Sequence, residues 1–228
     1  MKYTSAIAAT GSGSIGGATA SHNRGGQYFR RRAIPVNPST VAQQAVRGFF
    51  STLQAAWNNT LTAAQRSAWD SYALNTPVTD ALGNPVNAGG KGMFTRGNVP
   101  RLQGSLAIVA AGPTTFGLPA LTAPGVTSLV ASTGVITYTF TNTDTWAAAA
   151  TGGLLIYVSR PQSVSINGFK GPFRFAGIKL GNATPPTSPG TVTSPFTYAV
   201  GQKGFIRFVA VTTDGRQSGE YIFPVTAS

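Results

Sequence analysis

The chain has 228 residues, of which 42% are hydrophobic, enough for one large domain or two small ones. It has 17 basic and five acidic residues (net charge +12), yet charged residues make up only 10% of it, so neutral polar residues must cover most of the surface. The lack of cysteine excludes disulfides and thiolate zinc sites, and no apolar run reaches the about 18 residues of a membrane-spanning helix.

Residues 1–36 are rich in glycine and contain no acidic residue. Glycine makes a segment costly to order by itself, so we expect an extended basic arm. Clustered arginine beside aromatic residues favours binding to a polyanion or to an acidic protein groove, although such an arm can also serve solubility alone. The residues that we expect to bind a partner are Arg24, Tyr28, Phe29, Arg30, Arg31 and Arg32.

A helical domain is predicted over residues 37–103. Asn37-Pro38 is a helix start, although Thr40 with Gln43 forms a capping box that would begin the helix one turn later. A polar break at 58–60 precedes a second capping box, so we expect an αα-hairpin. Its large aromatic residues are predicted to build the core or, alternatively, a protein interface: Phe49, Phe50, Trp57 and Trp69.

A short third helix is predicted from about Lys91 to Arg101, with Pro100 limiting its end. Residues 104–123 have the composition of a linker. From residue 124 onward the pattern changes to about seven short strands separated by Gly, Pro and Ser turns, including an Asp214-Gly215 hairpin signal. This pattern predicts an immunoglobulin-like or fibronectin type III-like β sandwich over residues 124–228 and an α+β multidomain chain overall.

No residue pattern proposes an active site. Residues 11–16 match a dinucleotide-binding fingerprint, but poor helix formers follow them and no acid appears until Asp70. His22 is the single histidine, and the acids are scattered along the chain. We therefore predict no catalytic, cofactor-binding or metal site, and a protein that is not an enzyme.

The N-terminal part resembles a group of uncharacterised phage and prophage proteins over about residues 11–103. The matching features are the Gly-rich start, the arginines at 30–32, Asn37-Pro38-x-Thr40-x-x-Gln43-x-x-x-Arg47, Trp57, Leu61-Thr62-x-x-Gln65-Arg66-x-x-Trp69, Met93-Phe94 and Asn98. The resemblance implies a role in the virion or in phage assembly.

We therefore expect a structural protein of a phage-like particle, associated with capsid or tail, present in many copies and bound to other virion proteins. Its arm and helices would dock onto neighbouring subunits while the β domain projects. Two alternatives remain open: a nucleic-acid-binding protein that uses the basic arm, and an extracellular adhesion module. The weak apolar run at 6–9 is too short for a secretory signal, which disfavours the adhesion module.

Overall fold

The computed structural model describes residues 13–23, 26–79 and 84–228, and it confirms a mixed α+β chain with antiparallel sheets. The elements are β1 (Gly13–Ile15), β2 (Ala18–Asn23), β3 (Gly26–Arg31), α1 (Val41–Ala55), a π-helical turn (Ala56–Thr60), α2 (Ala63–Asn75), β4 (Val78–Thr79), β5 (Pro85–Val86), α3 (Gly89–Gln103), β6 (Gly125–Leu129), β7 (Val135–Thr139), β8 (Gly153–Ser159), β9 (Phe173–Leu180), β10 (Gly190–Thr193), β11 (Lys203–Val211) and β12 (Tyr221–Thr226). None of these helices is both long and apolar enough to cross a membrane.

The chain divides into two compact units, residues 1–44 and 45–228. In the first unit, β1, β2 and β3 pair in that order as an antiparallel meander, so the prediction of an extended arm is wrong for residues 13–31. The glycines that made the segment look costly to order instead form its first turn. Gly16 has a φ of +56°, and the two-residue Gly16-Gly17 loop suits a tight hairpin.

The first helix begins at Val41, one turn later than the predicted start at Asn37-Pro38. Ser39 has a φ of +46°, which no residue inside a right-handed helix adopts. The capping box that the sequence offered as the alternative is formed instead. The Thr40 N–H donates to Gln43 Oε1 at 3.1 Å, and the Gln43 N–H donates to Thr40 Oγ1 at 3.4 Å.

In the second unit, the helices share a small apolar core. α2 packs mainly against α3 rather than along α1, so the expected hairpin of the first two helices does not describe the main helical contact. The predicted capping box of α2 is confirmed at Thr62 and Gln65. The predicted third helix is also present, longer than expected at both ends. The buried core residues are Leu53, Leu61, Trp69, Tyr72, Ala73, Met93 and Phe94.

Two larger antiparallel sheets lie in the second unit, besides the two-stranded β4–β5 sheet. One has the strand order β10-β7-β6 and the other has the order β12-β11-β8-β9. The two sheets bury one common core, to which the first contributes Ile136 and Tyr138 and the second contributes Ile156 and Phe208. β8 is buried along its whole length, as its unbroken apolar run predicts.

Residues 104–123, for which the sequence predicts a linker, pack closely against their neighbours within the second unit. The Trp69 Nε1–H donates to Ala110 O at 2.9 Å, and Asn98 Oδ1 accepts from the Val109 N–H at 2.7 Å. Leu106 packs against a second apolar cluster on β8 and β11. The boundaries drawn between domains stay predictions, but this stretch is held in place by both helices and strands.

Candidate interaction surface

The structure gathers the predicted partner-binding residues on one short strand. Arg24 lies outside the described residues. The others are Tyr28, Phe29, Arg30 and Arg31 on β3, and Arg32 directly after it. Tyr28 is half-buried, whereas Phe29 is 43% exposed and the three arginines are exposed. The side chains of a strand alternate between its faces, so Arg30 and Arg31 project from opposite sides of the sheet.

Among the described strands, β3 pairs only with β2. The Arg32 N–H donates to Gly17 O at 2.8 Å, which makes these two residues a hydrogen-bonded pair. Such pairs alternate along an antiparallel ladder. In the register of β2 and β3, the backbone N–H and C=O groups of Phe29 and Arg31 therefore point away from β2.

The first unit has little apolar burial to support this sheet. None of the residues at 13–21, 23 and 26–40, whose exposure is described, is buried. Ile15 and Val36 are each 89% exposed, and Ile34 is 79% exposed. A three-stranded sheet normally needs an apolar face that packs against something. The described residues of this unit therefore supply no apolar core for the sheet.

The described carboxylates of the second unit are already engaged. The chain has five acids, and four of them lie among the described residues. Asp70 accepts from the Gly90 N–H, and Asp144 accepts from Thr122. The remaining two form ion pairs: Asp214 with Arg216 at 2.7 Å, and Glu220 with Arg207 at 3.3 Å. Residues 45–228 carry twelve basic and five acidic residues, a net charge of +7.

The four predicted helical aromatics have different environments. Trp69 is fully buried and makes edge contacts with Tyr72 and Phe94. Trp57 is half-buried against Phe94, with ring centroids 5.5 Å apart, and Phe49 is also half-buried. The core role predicted for Trp69 is therefore visible in the structure. Phe50 does not belong to this core.

Phe50 is 51% exposed and lines an open, mostly apolar groove of about 390 Å³. Its neighbours in the groove include Val99 and Pro100 of α3. A large aromatic residue at the mouth of an apolar groove is typical of an interface residue, which is the alternative that the sequence left open for these aromatics.

Arg101 is a buried, hydrogen-bonded residue that sequence reasoning missed. It is 1% exposed, although none of the four described carboxylates forms an ion pair with it. Its Nε–H donates to Ala107 O at 3.0 Å, and its Nη1 donates to Thr151 O at 3.0 Å and to Thr212 O at 2.7 Å. Burial lowers the pKa of its guanidinium, and nearby Asp214 partly opposes that effect. Arg101 thus joins α3 to two loops of the sheets.

A signal for this burial was present in the sequence. Phe94, Asn98 and Arg101 lie four and then three residues apart and so share one face of α3. All three are buried. Because Phe94 faces the core, Asn98 and Arg101 on the same helix face are expected to face it too. The same side of α3 approaches a turn so closely that a Cβ on Gly97 would lie 2.5 Å from Gly215 O.

Pro100 lies inside α3 rather than at its end, and a side chain from the β part compensates for it. Proline has no N–H, so the carbonyl of Arg96, four residues earlier, loses its helical donor. Gln217 Nε2 donates to this carbonyl. The break in the helix ladder is therefore repaired by a residue that follows β11.

Asp214 is the most constrained carboxylate in the described part of the chain. Burial acts to raise its pKa, but hydrogen bonds from Thr212 and Arg216 outweigh burial, and the net pKa lies below the ordinary value of 3.8. This arrangement holds the Asp214-Gly215 turn, as the sequence signal predicts, and keeps the carboxylate ionised. A carboxylate locked in this way is unsuited to general acid–base work at neutral pH.

Within residues 13–23, 26–79 and 84–228, no group of three or more His, Asp or Glu side chains could hold a metal ion. Comparison of the chain with protein-family models and with curated proteins finds no match.

Proposed function

We propose that the chain is a non-enzymatic structural protein of a phage-like particle, in which residues 13–40 dock onto a neighbouring subunit. The observation that carries this proposal is the first unit itself. Its three-stranded sheet has no buried residue among those whose exposure is described, yet it presents exposed arginines and large apolar side chains. Such a sheet gains its stability from the surface that it binds.

The second unit would be the body that this docking segment holds in the particle. Its helices and sheets are joined by the bonds of Arg101 and by the contact between Gln217 and α3. A body connected in this way can bear load without separating into independent parts. The exposed Phe50 groove offers it a further contact to a neighbour.

The β part is proposed to be an immunoglobulin-like or fibronectin type III-like sandwich that projects from the particle. It has seven strands, of which the second pairs with the first and fifth, and the sixth pairs with the third and seventh. The two sheets cover one core, as in that architecture. Because this fold hosts many functions, it supports display at a surface without specifying a target.

The test is deletion of residues 1–36, followed by purification of particles from the native source and mass spectrometry of their proteins. The truncated chain is expected to remain folded and soluble but to be absent from particles, whereas the full chain co-purifies at a fixed ratio to capsid or tail proteins. Incorporation of the truncated chain at the normal ratio would refute the docking role.

A second candidate function is nucleic-acid binding, which is favoured by Tyr28 and Phe29 lying beside three exposed arginines. Base stacking on aromatic rings together with phosphate contacts is a common mode for single strands. This function requires affinity that falls steeply with salt, and a smaller salt slope when the arginines at 30–32 become alanine.

A further inference from the structure

We propose that the Phe50 groove and the cavity next to it form one binding site for a short segment of another protein, in which a large apolar side chain lies beside a carboxylate. The apolar side chain would occupy the groove, and the carboxylate would pair with Arg96. The inference rests on the proposed structural function, for which it specifies a second contact and the chemistry of the occupant. Three observations carry it: the apolar walls of the groove, the cations next to it, and the charge of the chain.

The Phe50 groove has mostly apolar walls. Phe50 on α1 is 51% exposed, and Val99 and Pro100 on α3 are half-buried in the same groove, whose volume is about 390 Å³. Covering such side chains with another apolar group is favourable, because it removes their surface from water. The groove is large enough for a leucine or phenylalanine side chain. The occupant therefore contributes a large apolar residue.

Arg96 connects the groove to a second cavity. Arg96 and Gln217 line both the groove and a neighbouring cavity of about 370 Å³. Tyr72 and Arg216 also line this neighbouring cavity. Burial raises the pKa of the Tyr72 hydroxyl, and the positive charges of Arg216 and Arg96 oppose that rise, so both guanidinium groups act on this place. A carboxylate that enters here meets two cations next to the apolar groove.

Of these two cations, Arg96 is the one that an incoming carboxylate can pair with. Arg216 is already paired with Asp214 at 2.7 Å, and the other ion pair among the described residues joins Arg207 to Glu220. None of the four described acids thus forms an ion pair with Arg96, which is exposed. A guanidinium group can hold a carboxylate through two parallel hydrogen bonds, which fixes its position as well as its charge.

Charge argues against a second copy of this chain as the occupant. Each copy has a net charge of +12, and the four described acids are already hydrogen-bonded or ion-paired within their own unit. Nucleic acid supplies anions, but the polar edges of its bases would lie unpaired against the mostly apolar walls of the groove. A segment of another protein with an apolar residue beside Asp or Glu supplies both groups that the site requires.

The test is an NMR titration of the isotope-labelled full chain with three peptides whose termini are blocked. The first is Gly-Ser-Phe-Asp-Glu-Ser-Gly, the second has Asn-Gln in place of Asp-Glu, and the third has Ala in place of Phe. We expect the first peptide to shift the signals of the Gln217 side-chain amide and the Thr95 backbone amide, which line the groove. It should bind at least about fivefold more tightly than the other two peptides. Equal binding of the Asn-Gln peptide, or no shift of these signals by the first peptide, would overturn the proposal.

Two substitutions with matched controls locate the binding. Arg96→Gln should weaken binding of the first peptide at least about fivefold, whereas Arg160→Gln, at an exposed position of the β part, should change it by less than about twofold. Phe50→Ala should also weaken it at least about fivefold. Its control is Leu74→Ala, because Leu74 is 70% exposed and lines neither cavity. Equal losses in a variant and its control would show nonspecific attraction and would contradict the proposal.

The same signals report on the competing occupants. Dilution of the chain alone should leave them unchanged, and shifts that depend on its concentration would show self-association and refute the assignment. A single-stranded DNA of about ten nucleotides should shift them less than the first peptide does, and the opposite result would also refute it. If deletion of residues 1–36 blocks incorporation into particles but the first peptide does not bind, the docking function stands and this site falls. If the truncated chain is incorporated normally and the peptide binds, the docking role falls and this site stands.

Discussion

Replacing Arg101 with methionine gives the strongest test of how the second unit is held together. Methionine fills much of the same volume but donates no hydrogen bond, so the carbonyl of the buried residue Thr212 loses its partner, while the carbonyls of Ala107 and Thr151 lie in exposed residues that water can reach. An unsatisfied buried acceptor costs about 1–3 kcal/mol. The expected loss in the free energy of unfolding is about 1–3 kcal/mol, a sizeable share of the roughly 5–15 kcal/mol of a typical domain.

The assay is urea unfolding of the full chain followed by tryptophan fluorescence and circular dichroism. Trp69 lies in the helical core and Trp146 lies in the core of the sheets, so the fluorescence reports on both parts. The control is Lys91→Met, at an exposed position of the same helix, which should change stability by no more than about 0.5 kcal/mol. A loss below about 1 kcal/mol for Arg101→Met would refute the reasoning.

Two further predictions concern the same junction. Gln217→Ala should destabilise the chain by about 0.5–1.5 kcal/mol, because the Arg96 carbonyl loses its donor. In a double-mutant cycle, Pro100→Ala should abolish that loss, because alanine restores the helical N–H. Additive effects of the two substitutions in urea unfolding would contradict the repair. The pKa of Asp214 is lowered in the folded chain, so its stabilising effect is present above the ordinary value of 3.8 and is lost as pH falls through the folded pKa. The stability gap between the chain and Asp214→Asn should therefore be constant near neutral pH and shrink below about pH 4; a gap that does not depend on pH would show that the Arg216 pair does not stabilise the turn.

Local signals in the sequence predicted much of the helical and sheet structure. The capping box of Thr62 and Gln65 is formed as expected, because its two hydrogen bonds depend on residues three positions apart. For α1, the sequence offers the correct capping box, but Asn37-Pro38 predicts a start that is one turn too early. The choice between the two starts depended on the positive φ of Ser39, which residue type does not reveal.

Features that depend on distant residues could not be predicted in the same way. The sequence predicts that Pro100 limits α3. Proline is tolerated inside the helix because Gln217, 117 positions later in the chain, donates to the Arg96 carbonyl. Arg101 was placed at a helix end, where a solvated cation is the ordinary expectation. The meander of β1–β3 was missed because its strands are short and rich in small residues, so apolar alternation, the usual signal, is absent.

The meager apolar burial of the β1–β3 sheet bears on how faithfully a particle could be built. Each docking event would spend part of its binding energy on ordering the sheet, so a single contact would form and dissolve readily. Copies in wrong positions would leave before they became trapped. Once several neighbours engage together, the combined attachment would become durable through the high local concentration of sites. Weakness of the individual contact would then act as error correction during growth.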